Sequence, residues 1–246
     1  FERDPPKDPG LSPAAVITCE HASERLPDGW RWPDTDARLL GTHWAYDLGA
    51  AELARALAAE LGSVAVLAGF SRLLADPNRP EDSPDLFRLK ADGMAVGLNA
   101  GIDPEERNRR LLPWRAYHDA VDAEVSASMA PIVFSMHTFT PVYEGTPRAV
   151  EIGVLFDDED ALAATLREAL VSAGFNVAMN EPYSGKFGLM YSVDRHARCH
   201  GRRAIELEVR QDLAVNPETR SRVVLATAPA VRSCAREMGL PGRPGC

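Results

Sequence analysis

Neither a CxxC pair nor a knuckle spacing occurs among the four cysteines, Cys19, Cys199, Cys234 and Cys246, which argues against a structural zinc site. Nothing has the cysteine density of a small secreted scaffold, so reduced thiols in a cytoplasmic protein are expected. No apolar run approaches the roughly 18 residues of a membrane span. The charged, proline-rich opening FERDPPKDPG has no signal-peptide h-region. Basic residues are not in excess: 36 acids against 27 bases give a formal charge of −9, unlike a nucleic-acid footprint. A local basic pocket for an anionic small molecule remains compatible with that balance. HExxH, GxSxG, a P-loop and GxGxxG are all missing, so zincin, serine hydrolase, NTPase and Rossmann dehydrogenase readings lose their usual signals. No repeat, low-complexity segment or linker divides the 246 residues. The expectation is a flexible N-terminal arm over 1–12 and one domain over 13–246. A chain of this size buries about three-quarters of its unfolded surface and needs no disulfide staple.

What is present alternates strands with helices. Residues 14–18 form a short apolar run with the pattern of a buried strand, ending in the polar cluster Cys19-Glu20-His21-Ala22-Ser23. An Ala/Leu-rich amphipathic stretch after Asp47 predicts a helix ending near Gly62. Strands are predicted over 63–67, 132–136, 149–156, 177–179 and 204–209. Helices are predicted over 104–128, with a break near Pro113, over 158–173 and over 217–237. The segment 68–104 has little periodicity, which in a compact domain usually marks function; within it, 81–103 is a candidate lid. The pattern predicts an α/β single domain with a mainly parallel or mixed central sheet flanked by helices.

Ligands of open α/β sheets bind beyond the carboxyl ends of strands. Four polar clusters fall there: Glu20-His21, Arg72 to Arg79, His137-Thr138 and Glu208 to Asp212. His21 and His137 suit a catalytic metal, which often takes two histidines and one carboxylate; the candidate acids are Asp47, Glu20 and Glu208. The plainer alternative is that each histidine hydrogen-bonds a loop. Arg72 and Arg79 with Asn78 suit a substrate carboxylate, since guanidinium binds it through a planar fork; surface ion pairs are the alternative, and Arg148 is a further candidate. Glu206 and Glu208 alternate on one strand and share a face. Glu208, nearer the strand end, is taken as the general base, and Glu206 as the partner of an arginine. His43 and Asp47 face one site if the helix starts early. His118 is expected to pack or cap, His196 and His200 to flank a basic loop, and Cys19 to be a buried, inert thiol.

The strings Cys19-Glu20-His21-Ala22-Ser23, His43-x-Ala45-Tyr46-Asp47, Ser71-Arg72-Leu73-x-x-Asp76-x-Asn78-Arg79-Pro80, Tyr117-His118, His137-Thr138-Phe139-Thr140-Pro141, Asn180-Glu181-Pro182-Tyr183-Ser184 and Glu208-Val209-Arg210-Gln211-Asp212-Leu213 resemble, in this order, those of N-formylglutamate amidohydrolase-like proteins. Where Cys19–Ser23 stands, histidine-degradation members tend to show Pro-His-Ser-Gly. The resemblance implies a phosphorylase/hydrolase-like fold, similar to zinc carboxypeptidases and aspartoacylase, and a metal-dependent amide hydrolase. It implies His21, Asp47 and His137 as metal ligands, with Glu20 and His43 as secondary candidates, and zinc as the ion, although two histidines and a carboxylate also suit iron or manganese. Glu208 resembles the general base; Arg210, in the same string, is taken as a second catalytic residue, and a nearby arginine would stabilise the oxyanion. Arg72, Asn78, Arg79, Arg148 and Tyr183 would hold a small substrate bearing carboxylates, such as an N-formyl amino acid. The alternatives are a carboxypeptidase- or aspartoacylase-like deacylase, and a non-catalytic binder of acidic ligands. The sequence leaves the oligomeric state open.

Overall fold

A computed structural model of the chain describes residues 1–5 and 13–238; Cys246 lies outside them. In chain order the strands are β1 (Glu2–Asp4), β2 (Ala15–Cys19), β3 (Ala65–Leu67), β4 (Lys90–Ala91), β5 (Met94–Ala95), β6 (Ile132–Phe139), β7 (Val142–Tyr143), β8 (Thr146–Pro147), β9 (Ile152–Leu155), β10 (Val177–Met179) and β11 (Arg203–Arg210). The helices are α1 (Ala50–Leu61), α2 (Pro104–Ala127), α3 (Asp160–Ser172), α4 (Tyr191–Cys199), α5 (Gln211–Val215) and α6 (Pro217–Met238). Seven strands form one mixed sheet in the order β1-β3-β2-β6-β11-β9-β10. The central run β3-β2-β6-β11 is parallel; β1 pairs antiparallel with β3, and β9 antiparallel with β11. The expected mixed, helix-flanked sheet is therefore what forms.

Alternation along the strands splits the core. Ile17, Cys19, Phe134, Met136, Ile205, Leu207 and Val209 pack on the face covered by α1, α3 and α6. Val16, Val133 and Ala204 pack on the opposite face, under α2 and α4. Toward the carboxyl ends this second face turns polar, through Thr18, Ser135, His137, Glu206 and Glu208, all buried. Period-two patterning thus delivers the candidate chemistry to one side of the sheet, at its carboxyl edge.

Several elements differ from the sequence expectation. Part of the expected arm, Glu2–Asp4, is an edge strand paired with β3. The strand expected to stop at Met136 continues to Phe139, so His137 lies inside β6 rather than at its end. Pro113 does not interrupt α2, which is started by Asp103 accepting from the Glu106 amide at 2.8 Å, with Pro104 at its first position. His196 and His200 do not flank a loop: His196 sits within α4 and His200 caps it. Cys19 and Cys234 are free and buried, and burial pushes the Cys19 thiol upward. Cys199 is disulfide-bonded, against the expectation of reduced thiols; it ends α4, half-buried. Within 81–103, the stretch 97–99 is tied to the body of the fold. The Asp36 carboxylate accepts from the amides of Gly97 and Leu98 at 2.9 and 2.7 Å, and Arg110 holds the Asn99 side chain and the Leu98 carbonyl.

Where α2 meets α4, His118 and His196 are buried, with Nδ1 of the first 2.9 Å from Nε2 of the second. Such a contact needs at least one neutral ring to accept the hydrogen bond that the other donates. Burial, together with the charge of Arg195, holds His118 down to about 3 and His196 down to about 4, although Asp122 opposes the shift at His196. Unfolded imidazoles take up protons near 6.5, so the unfolded state binds more protons as pH falls. Stability from this pair is complete above about pH 6.5 and falls by more than about 1 kcal/mol per unit for each histidine toward pH 4. Urea unfolding of wild type against a His118→Gln/His196→Gln double variant should show the steeper loss in wild type. Parallel curves between pH 7 and 5 would refute it.

Candidate active site

The carboxyl ends of β2 and β6 open at the point where the sheet order reverses, β2 pairing with β3 on one side and β6 on the other. His21 follows β2, and its carbonyl accepts from the Asp47 amide at 2.9 Å. Asp47 precedes α1 in a tight turn closed by the Ala50 amide on its carbonyl at 3.1 Å. Gly49 makes that turn with φ +83°, and a Cβ there would fall 2.8 Å from Ala214. This is why the acid lies ahead of the helix rather than on its first turn, and why His43 is not one helical turn away. Among the described residues, His21, Asp47 and His137 are the one group of three whose ligand atoms lie within 4.8 Å of one another.

The geometry distinguishes the two nitrogens of each ring. His137 Nδ1 lies 2.9 Å from Asp47 Oδ2, and Nε2 lies 3.0 Å from Glu20 Oε2. His21 Nδ1 lies 3.4 Å from the same Asp47 oxygen, and Nε2 lies 2.7 Å from Asp76 Oδ1. Both Nδ1 atoms therefore converge on Asp47, while the outer nitrogens are backed by separate carboxylates. The Thr138 amide donates to Asp47 Oδ2 at 3.2 Å, and Arg72 spans Asp47 and Asp76 at 3.4 and 3.0 Å. Burial alone would raise Asp47 and Asp76. The histidines and Arg72 overcome it, and both carboxyls are held below their usual range.

On β11, Glu208 is the register partner of His137 and Glu206 that of Ser135. One carboxylate oxygen of each glutamate is buried with no hydrogen-bond partner. Burial, reinforced by Glu20 and Asp47, pushes Glu206 up to about 7, and burial pushes Glu208 well above the carboxylate range. Glu206 pairs with no arginine among the described residues; it stands 3.7 Å from His137 Nε2. Burial alone would lower His137, but Glu206, Asp47 and Glu20 raise it well above its ordinary value. Five buried acids thus surround two histidines, and among the described residues Arg72 is the one arginine bonded to them. A divalent cation on the Nδ1 side would take the place of protons there, so the donor set and its excess negative charge fit a metal.

Above the acids opens a cavity of about 410 Å³, lined by His21, Asp47, His137, Glu206 and Glu208 at its base and by arginines and aromatic rings on its walls. Its size is ordinary for a small-molecule site. The expected binding residues Arg72, Asn78, Arg79, Arg148 and Tyr183 all line it, as does His43. Their states differ. Arg72 is occupied by Asp47 and Asp76. The Asn78 amide donates to the Leu189 carbonyl at 3.2 Å and accepts from the Ser192 amide at 3.1 Å, so it braces α4. Among the described residues the Arg79 guanidinium bonds the Asn78 carbonyl alone, at 2.8 Å. Arg148 lies over the rings of Phe139, Tyr143 and Tyr183 at 4.8–5.7 Å. Arg210 is not among the lining residues; its guanidinium holds Asp212 and the Arg148 carbonyl, at 2.8 and 3.0 Å. Sequence reading missed Asp76 behind His21 and Arg88, which lies 5.4 Å over Trp44 in the cavity wall. The DxNR string signalled Asp76. A lone Arg88 in an aperiodic segment carried no signal.

Fold and site together define a mixed-sheet α/β protein whose buried acids and histidines gather on one face toward the carboxyl side of its parallel strands. The family model described as N-formylglutamate amidohydrolase matches residues 14–215, and the chain belongs to that family of amide hydrolases. It superposes with TM-score 0.84 on the gene product Atu2144 from Agrobacterium tumefaciens, at 29% identity over 92% of each chain. With an N-formylglutamate amidohydrolase from Ralstonia eutropha JMP134 the TM-score is 0.64 at 19% identity, covering 96% of this chain and 98% of that one; this likeness speaks for the fold. No curated protein matches in sequence.

Proposed function

We propose that this protein is a metal-dependent amidohydrolase that removes the acyl group, formyl foremost, from an N-acyl amino acid bearing carboxylates, with N-formylglutamate as the reference substrate. The observation that carries the reading is the placement of Glu208 one strand across from His137, beside the His21/Asp47/His137 group and under a cationic cavity. A divalent ion, zinc foremost, would be held by His21, Asp47 and His137 and would supply Lewis acidity toward the acyl oxygen and water.

The chain's own residues do the rest. Glu208 takes a proton from the water that adds to the acyl carbon, then gives it to the departing nitrogen as the C–N bond breaks. The products are a carboxylate, such as formate, and a free amino acid. Burial raises the Glu208 carboxyl above the usual carboxylate range and so makes it a stronger base than an exposed one, which suits this shuttle. Arg79, Arg88 and Arg148 line the walls with no carboxylate within ion-pair distance among the described residues, so they are the groups that hold the substrate's carboxylates and orient it. Arg210 acts one step back, on the Arg148 backbone.

A second reading, cleavage of a longer acyl group or peptide, is favoured by the ring-lined wall of Trp44, Phe139, Tyr143 and Tyr183. Metal analysis of purified protein, paired with formate release from N-formylglutamate before and after chelation, tests the first reading. About one zinc per chain with chelator-sensitive formate release is the expected result. Metal without formate release would move the substrate to other N-acyl compounds. No metal, and no activity on adding zinc, would overturn the proposal.

A further inference from the structure

Glu20 has no place in the chemistry above, yet it is among the most completely buried charges in the molecule, with no measurable exposure. A charge there is costly unless it is hydrogen-bonded, and three donors meet the Glu20 carboxylate. Tyr117 of α2 donates to Oε1 at 2.9 Å, Ser135 of β6 donates to Oε2 at 2.5 Å, and His137 Nε2 donates to Oε2 at 3.0 Å. The donors come from two elements, α2 and β6, and converge on a residue that follows β2. It fixes the carboxylate behind His137, on the ring edge opposite Asp47.

The consequence concerns which nitrogen of His137 is free to bind. A neutral imidazole keeps one N–H, and a fixed acceptor decides which nitrogen carries it. With Glu20 accepting at Nε2, the proton stays there and the Nδ1 lone pair points toward Asp47 and His21. Glu206 also stands near Nε2, at 3.7 Å, but it lies farther away and one of its oxygens has no donor. Asp76 makes the corresponding contact to His21 Nε2, at 2.7 Å.

We propose that Glu20 is a positioning residue: held by Tyr117 and Ser135, it locks His137 in the Nε2–H form and so presents Nδ1 to the metal, without being a ligand itself. This rests on the metal reading of the site. Outer carboxylates of this kind typically change metal affinity by ~10–100-fold when lost.

The test measures zinc affinity by chelator competition for the full-length wild type, Glu20→Gln and Tyr117→Phe, with cobalt(II) spectra of each. Thermal unfolding of the metal-free proteins checks that the variants fold. The expected result is a zinc affinity weaker by ~10–100-fold in Glu20→Gln, with a smaller loss in Tyr117→Phe, which keeps the carboxylate but removes one of its donors. The cobalt spectrum should keep its wild-type shape in all three. Unchanged affinity in folded Glu20→Gln would overturn the inference while leaving the metal site standing. A changed cobalt spectrum in Glu20→Gln would make Glu20 a ligand and also overturn it. If wild type binds no metal, the site reading fails and this inference falls with it.

Discussion

Replacing Glu208 by glutamine should leave the metal content at wild-type level and lower kcat by about 10²–10⁴-fold, the span of a positioned general base. Glutamine keeps the volume and the cavity wall but cannot carry the proton. The side chain is suited to this experiment because little else depends on it: one of its oxygens is buried and unpartnered. Its loss therefore leaves no broken ion pair behind. Steady-state kinetics on N-formylglutamate, with zinc measured on the same preparation, reads both quantities. Full activity in Glu208→Gln would place the base elsewhere, and Glu206 would be the next candidate.

Asp47→Ala should have the complementary signature, with zinc lost on dialysis and turnover lost with it. The Asp47 carboxylate is the point on which His21, His137, the Thr138 amide and Arg72 converge. Its removal leaves Arg72 and both Nδ1 atoms without their shared partner. Metal assistance is worth several kcal/mol of transition-state stabilisation. At about 1.4 kcal/mol per tenfold in rate, the expected fall in kcat/KM is on the order of 10³-fold or more. Zinc analysis after dialysis, and activity against added zinc, separate weakened binding from loss of the base. A variant that holds one zinc per chain as tightly as wild type would exclude Asp47 from the metal site.

Much of this arrangement can be read from the chain alone, because strand ends and helix starts have local causes. The apolar run ending at Cys19 and the Ala/Leu-rich stretch beginning at Ala50 place His21 and Asp47 correctly by pattern. The alternation over 204–209 puts Glu206 and Glu208 on one face, and the register confirms it. What the pattern hides is set by distant partners. β6 runs on through His137 and Thr138 because β11 pairs along its whole length, whereas a histidine in sequence looks like the end of a strand. α4 reads as a polar loop because Asp194, Arg195, His196 and Arg198 dominate it; only Ser192, Val193, His196 and Ala197 are buried. By residue type alone Glu20 and Asp47 are both candidate ligands in sequence, and only the family resemblance puts Asp47 first. Only the direction of each histidine ring separates the acid in front of it from the acid behind it. Arg210 shares a string with Glu208 but follows it by two residues at the strand's exit, where Asp212 and Glu151 claim it.

The pairing of His137 with Glu208 on adjacent parallel strands also bears on how such an enzyme can change over time. Their separation is set by neighbouring rungs of one ladder, and not by any loop. The stretch between the two strands carries a hairpin, two helices and the Tyr183 loop, and it can gain or lose residues while that separation stays put. A single residue inserted within either strand ahead of these positions would instead turn the glutamate or the histidine to the opposite face. Insertions and deletions can therefore remodel what enters the cavity, while the proton-transfer distance is inherited unchanged with the sheet.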